Sequence, residues 1–109
     1  MMYNQTINQG SDNDLTVSLD ESGLTLEDSF GMITFQIGDL PTVFETIEEF
    51  QVADFDVDSF SKTLSLSSGE FMFDRRGTSA FVIQNNSSFE CVLIDRQKLD
   101  WVGDIRNLL

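Results

Sequence analysis

The chemistry open to this chain is bounded first by what it lacks, because its 109 residues include no histidine. That removes the commonest general base, the commonest metal ligand and every Ser-His or Cys-His nucleophilic pair. No glycine-rich phosphate loop occurs, since neither G-x-G-x-x-G nor G-x-x-x-x-G-K is present. A carboxylate pair of the glycosidase type needs a deep cleft for which a domain of this size has little room. The reading is of a protein that is not an enzyme and uses no cofactor or metal.

The sharpest local feature is Asp54-Phe55-Asp56-Val57-Asp58, which opens like a calcium loop. The rest of the loop fails. Counted from Asp54, the glycine position holds Ser59 and the closing glutamate position holds Ser65, so the sharp turn and the bidentate ligand are both missing. As a strand the same residues put three carboxylates on one face, either as a solvated edge that blocks aggregation or as part of a binding surface. The lone cysteine, Cys91, rules out an internal disulfide and sits in an apolar run, where it reads as a small buried hydrophobe.

The elements that must position these groups are legible from periodicity. Leu15, Val17 and Leu19 alternate, a turn follows at Asp20 to Gly23, and Leu24, Leu26 and then Met32 to Ile37 complete a three-stranded meander. Leu40, Val43, Phe44, Ile47 and Phe50 share one face of a helix over about 40–50, with Glu45, Glu48 and Glu49 opposite and Asp39 placed as its cap. Residues 52–58 alternate again, and further strands fall over 63–66, 70–73, 79–84 and 89–94. Of these, Phe81-Val82-Ile83 and Cys91-Val92-Leu93-Ile94 are apolar on both faces, the mark of central strands covered on each side. A second helix is expected over about 96–109 from Leu99, Val102, Ile105 and Leu109, with Asp95 or Asp100 as its cap. The expected fold is α+β, an antiparallel sheet of six to eight strands with two helices, in one domain over 14–109 behind a flexible N-terminal arm at 1–13. Most of the ten phenylalanines fall on apolar sides and read as core, and burial is expected for Trp101.

Charge points to the function class. Net charge is −13, and all of it belongs to residues 1–61, which hold 13 Asp and Glu and no Lys or Arg; residues 62–109 hold six of each sign. A markedly negative side steers a basic partner at rates that fall with salt, and disfavours direct contact with nucleic acid or an anionic membrane. The candidate partner-binding residues are Glu45, Glu48, Glu49, Asp54, Asp56 and Asp58, joined by Asp20, Glu21, Glu27 and Asp28 from the meander. Met1 to Asn13 is polar and no stretch is long enough to span a membrane, so a cytoplasmic location is expected.

In size and charge the chain resembles small acidic phage proteins that mimic DNA against restriction or CRISPR effectors, and acidic immunity proteins that neutralise nuclease toxins. The likeness is one of composition, and no motif carries it. It implies an inhibitor that occupies the basic, nucleic-acid-binding surface of another protein. The competing reading is an acidic chaperone or assembly adaptor that works as a homodimer through an exposed apolar groove. A continuous carboxylate patch favours the first, and a large apolar patch the second.

Overall fold

Alternating Leu15, Val17 and Leu19 put one row of side chains on a single face of a strand, and all three are fully buried. In a computed structural model that describes residues 2–10, 13–53 and 61–109, they belong to β2 (Asp14–Asp20), which pairs antiparallel with β3 (Gly23–Glu27); β3 in turn pairs with β4 (Met32–Phe35). Tyr3–Asn8, read from the sequence as part of a flexible arm, is strand β1 on the free side of β2. Its Asn, Gln and Thr hide the pattern, and only Tyr3 and Ile7 pack against the core, as suits an edge strand.

After β4 a 3-10 turn (Ile37–Asp39) leads into α1 (Leu40–Val52), whose Leu40, Val43, Phe44, Ile47 and Phe50 are at most 1% exposed. Asp39 does not cap its own helix. Its carboxylate instead accepts hydrogen bonds from Ser68 Oγ (2.6 Å), Ser68 N (2.9 Å) and Ser67 N (3.3 Å), so the head of α1 is tied to the turn beyond it. The preceding 3-10 turn satisfies the Leu40 amide through the Ile37 carbonyl, which leaves the side chain free for that task.

The second half repeats the plan. Strands β5 (Ser61–Leu66), β6 (Gly69–Arg76), β7 (Ala80–Asn85) and β8 (Cys91–Asp95) form a second antiparallel meander, and α2 (Asp100–Arg106) follows. The eight strands thus divide into sheet A (β1–β4) and sheet B (β5–β8) rather than forming one sheet. Helix α2 is shorter than 96–109 because Asp95 organises a turn of its own, accepting the Gln97 amide on its side chain and the Lys98 amide on its carbonyl. Residues 54–60, including the Asp54, Asp56 and Asp58 row, lie outside the described residues.

One apolar cluster joins both sheets and both helices. Phe50 of α1 packs on Phe73 and Phe81 of sheet B, and Phe35 of β4 on Phe71 of β6, with ring centroids 4.6 to 5.8 Å apart. The sheets meet where the loops at one end of sheet A run along the free edge of β8. Gln9 acts there as a substitute strand, donating to the Leu93 carbonyl (2.8 Å) and accepting from the Asp95 amide (2.9 Å), while Asp28 accepts from the Leu93 amide (2.8 Å). Gly31 is required at this junction, since a Cβ there would stand 3.1 and 3.2 Å from the Cys91 carbonyl oxygen and amide nitrogen. These contacts satisfy an edge that would otherwise recruit another strand.

Candidate functional site

Each carboxylate singled out by charge patterning has a definite place. Asp20 sits in the β2–β3 turn and accepts from Ser22 Oγ (2.6 Å), Ser22 N (2.8 Å) and Gly23 N (3.3 Å). Those bonds, the Ser22 hydroxyl foremost, hold its carboxyl below the ordinary range. Asp28 is more heavily used still. One oxygen accepts from Phe30 N (2.8 Å) and Gly31 N (3.2 Å), and the other from Leu93 N (2.8 Å) and Asn13 Nδ2 (3.4 Å). It is a structural brace between the sheets, with little capacity left for a partner.

On α1 the outward stripe forms as the periodicity predicts, but two of its three members meet bases from the second half. Glu49 pairs with Lys62 at 2.9 Å, and Glu48 pairs with Arg106, whose guanidinium also lies 5.6 Å from the Phe44 ring centroid. Both pairs are about two-fifths exposed, so each contributes about 0–1 kcal/mol. Glu21, Glu27 and Glu45 are exposed and make no ion pair or side-chain hydrogen bond with a described residue. The acids are also divided in space: Glu21 lies in the β2–β3 turn and Glu27 at the far end of β3, a strand about 13 Å long. Among the described residues no group of three or more Cys, Asp or Glu is placed to hold a metal ion.

The structure also shows a surface that charge patterning does not reveal. The inner faces of β7 and β8 supply Phe81, Ile83, Val92 and Ile94 to the core, whereas their outer faces carry Val82, Cys91 and Leu93. The two-faced apolar pattern holds for β7, which lies between β6 and β8 with Phe81, Val82 and Ile83 all buried, but not for β8, an edge strand whose outward Cys91 and Leu93 are only half-buried. Cys91 and Leu93 are half-buried there, and Val82 and Leu93 stand opposite each other in the ladder. Phe30, 63% exposed, borders this face, and Phe89, 74% exposed, sits in the β7–β8 loop; neither is core. A shallow depression of about 330 Å³ is lined by Phe30, Arg76, Val82, Gln84, Cys91 and Leu93. The sequence signal for this surface is the double-faced pattern itself.

A second hollow, of about 480 Å³, lies between β1 and α2 and is lined by Tyr3, Gln5, Ile7, Lys98, Trp101 and Asp104 among others. Tyr3 donates its hydroxyl to Asp104 (3.1 Å), and its own pKa is raised by burial and then by that carboxylate. Trp101 is buried as expected, and its indole N–H has no hydrogen-bond partner among the described residues. No helix among the described residues is long and apolar enough to cross a membrane. Comparison with protein-family models, with curated proteins and with solved structures finds no match to this chain.

Proposed function

We propose that the chain is a non-enzymatic acidic binding protein that occupies the basic, nucleic-acid-binding surface of a partner protein, as DNA-mimicking anti-restriction and anti-CRISPR proteins and nuclease immunity proteins do. The observation that carries this reading is the segregation of charge. The described residues from 2 to 53, which build sheet A and α1, contain nine Asp and Glu and no Lys or Arg, and only Glu48 and Glu49 meet a base. Such a body attracts a basic surface at long range and repels nucleic acid itself. Within it, Asp14, Glu21, Glu27 and Glu45 are exposed carboxylates with no side-chain hydrogen bond or ion pair to a described residue, and the three glutamates are the residues through which the reading is best tested.

Capture from the native host lysate should recover a basic nucleic-acid-binding protein at low salt and lose it at moderate salt. The triple variant E21K, E27K, E45K should fold as the parent does, by circular dichroism and melting temperature, and lose the captured protein. A triple variant that captures as well as the parent sinks the reading.

The second reading, an acidic dimeric chaperone or assembly adaptor, is favoured by one specific observation, the half-buried apolar residues Cys91 and Leu93 on the outer face of sheet B with the exposed Phe30 beside them.

A further inference from the structure

We propose that the hollow between β1 and α2 receives an arginine side chain of the basic partner, an inference that rests on the partner reading above and gives it one specific contact. Asp100 and Asp104 both line the space and stand one turn apart on α2, which brings their Cβ atoms within about 5–6 Å of each other. Neither meets a base among the described residues. Lys62 and Arg106 reach across to Glu49 and Glu48 of α1, Arg76 takes Asp74, and Arg96 bonds the Gln51 and Ala53 carbonyls (2.9 and 2.5 Å). Lys98 lines the hollow too, but its ammonium donates to the Asn8 carbonyl (2.7 Å) rather than to either aspartate. Asp104 accepts the Tyr3 hydroxyl on one oxygen only, and Asp100 makes no side-chain hydrogen bond with a described residue. Acceptor capacity for a cation is therefore left over at both carboxylates.

The shape of the lining selects the cation. A guanidinium carries its N–H donors on several edges of one plane and can engage two carboxylates at once, whereas an ammonium is a compact point charge. Tyr3, tethered through its hydroxyl, lines the same space and offers an aromatic surface to a guanidinium. The inner wall adds a second requirement. Trp101 lines the hollow at 1% exposure, and its indole N–H has no hydrogen-bond partner among the described residues. An occupant that brings a neutral acceptor removes the cost of that orphan donor, while a carboxylate occupant meets Asp100 and Asp104 at like charge. An arginine residue in a polypeptide has both parts, a guanidinium and a backbone carbonyl. The volume, about 480 Å³, lies within the range of small-ligand sites. No described strand lies beyond β1, so the hollow opens at the rim of sheet A, where the long-range field of that acidic body already draws a basic surface.

The test titrates N-acetyl-arginine amide into the isotope-labelled full chain, with N-acetyl-citrulline amide, its uncharged isostere, as the control. The single tryptophan makes the indole N–H resonance an unambiguous reporter. The arginine derivative should bind saturably at about millimolar concentration, moving the indole resonance together with the amides of β1 and α2, and the citrulline derivative should bind about tenfold more weakly. D100N should change the melting temperature little, because Asp100 braces nothing, and should weaken binding about tenfold. It should also retain less of the basic partner in capture from host lysate. Equal shifts with the two derivatives overturn the proposal, as do unsaturable shifts spread over Glu21, Glu27 and Glu45. A D100N chain that loses the arginine derivative yet captures the partner as the parent does overturns it too, and leaves the charge reading standing. Binding of the derivative by a parent that captures no basic protein refutes the partner reading itself, and the proposal with it.

Discussion

Replacing Asp39 with asparagine should cost this protein about 2 kcal/mol, and the loss should be visible only where the parent carboxylate is charged. Asp39 joins the head of α1 to the β5–β6 turn through two short hydrogen bonds from Ser68, at 2.6 and 2.9 Å, and a longer one from the Ser67 amide at 3.3 Å. A hydrogen bond to a charged group contributes about 1.5–3 kcal/mol. Asp39 is only half-buried, so the lower figure applies to each short bond, and bonds sharing one acceptor group do not add in full. Asparagine keeps one acceptor oxygen, loses the charge and turns an amino group toward a donor, which brings the expected loss to about 2 kcal/mol. For a chain of this length that is a fall in melting temperature of roughly 8 °C. The Ser68 hydroxyl bonds, followed by the Ser68 and Ser67 amides, lower the carboxyl pKa of Asp39 below its ordinary value of 3.8. A lowered folded pKa means stability that is fully present above the unfolded value and lost as pH falls through the folded one. The gap between parent and D39N should therefore be constant from about pH 5 to pH 7 and close at more acid pH. The two proteins share every other carboxylate, so the difference isolates Asp39. Urea unfolding followed by circular dichroism across that range, with S68A and the double variant, completes a thermodynamic cycle. A gap independent of pH, or strict additivity of D39N and S68A, would refute the reasoning.

Two further substitutions probe the core and the junction between sheets. Gly31→Ala places a methyl group 3.1 Å from the Cys91 carbonyl oxygen, a backbone atom that cannot swing aside; overpacking of about 1–3 kcal/mol, offset by up to about 1 kcal/mol from the less flexible unfolded chain, leaves a net loss of about 1 kcal/mol. Faster hydrogen exchange at the Leu93 amide should accompany it, and an alanine variant as stable as the parent would contradict the close approach. Trp101→Phe should leave stability within about 1 kcal/mol of the parent, because the area lost by the smaller ring is offset by removing a buried N–H that has no partner. A urea-measured loss above about 3 kcal/mol would mean that the indole N–H is bonded after all.

The elements that read clearly from the sequence are those in which one periodicity dominates. The heptad-like run Leu40, Val43, Phe44, Ile47, Phe50 places α1 to within two residues at its C-terminal end, because every one of those side chains is in the core. Alternation gives β2 and β3 for the same reason. Strand β1 escaped because an edge strand buries only Tyr3 and Ile7 of its six residues, leaving too few apolar positions to mark a period. The misread aspartates have a common cause. Asp39 precedes a helix and Asp28 follows an apolar strand, so local pattern assigns one to a cap and the other to the partner-binding surface. Their donors, Ser67 and Ser68 for the first and Leu93 for the second, are 28 to 65 residues away. Sequence spacing carries no information about partners at that separation.

The candidate surfaces differ in legibility for a physical reason as well. Net charge is a sum, so it survives ignorance of the fold; the acidity of residues 1–61 is readable at once, while its division between braces, ion pairs and free carboxylates is not. An apolar surface is a residue of packing, known only once the core has taken what it needs. Phe81, Ile83, Val92 and Ile94 are consumed by the interior, and Val82, Cys91 and Leu93 are what remains on the other face of β7 and β8. Added salt screens the attraction of the carboxylates for a basic partner, so a salt titration of capture reads the charge-based surface without any mutation.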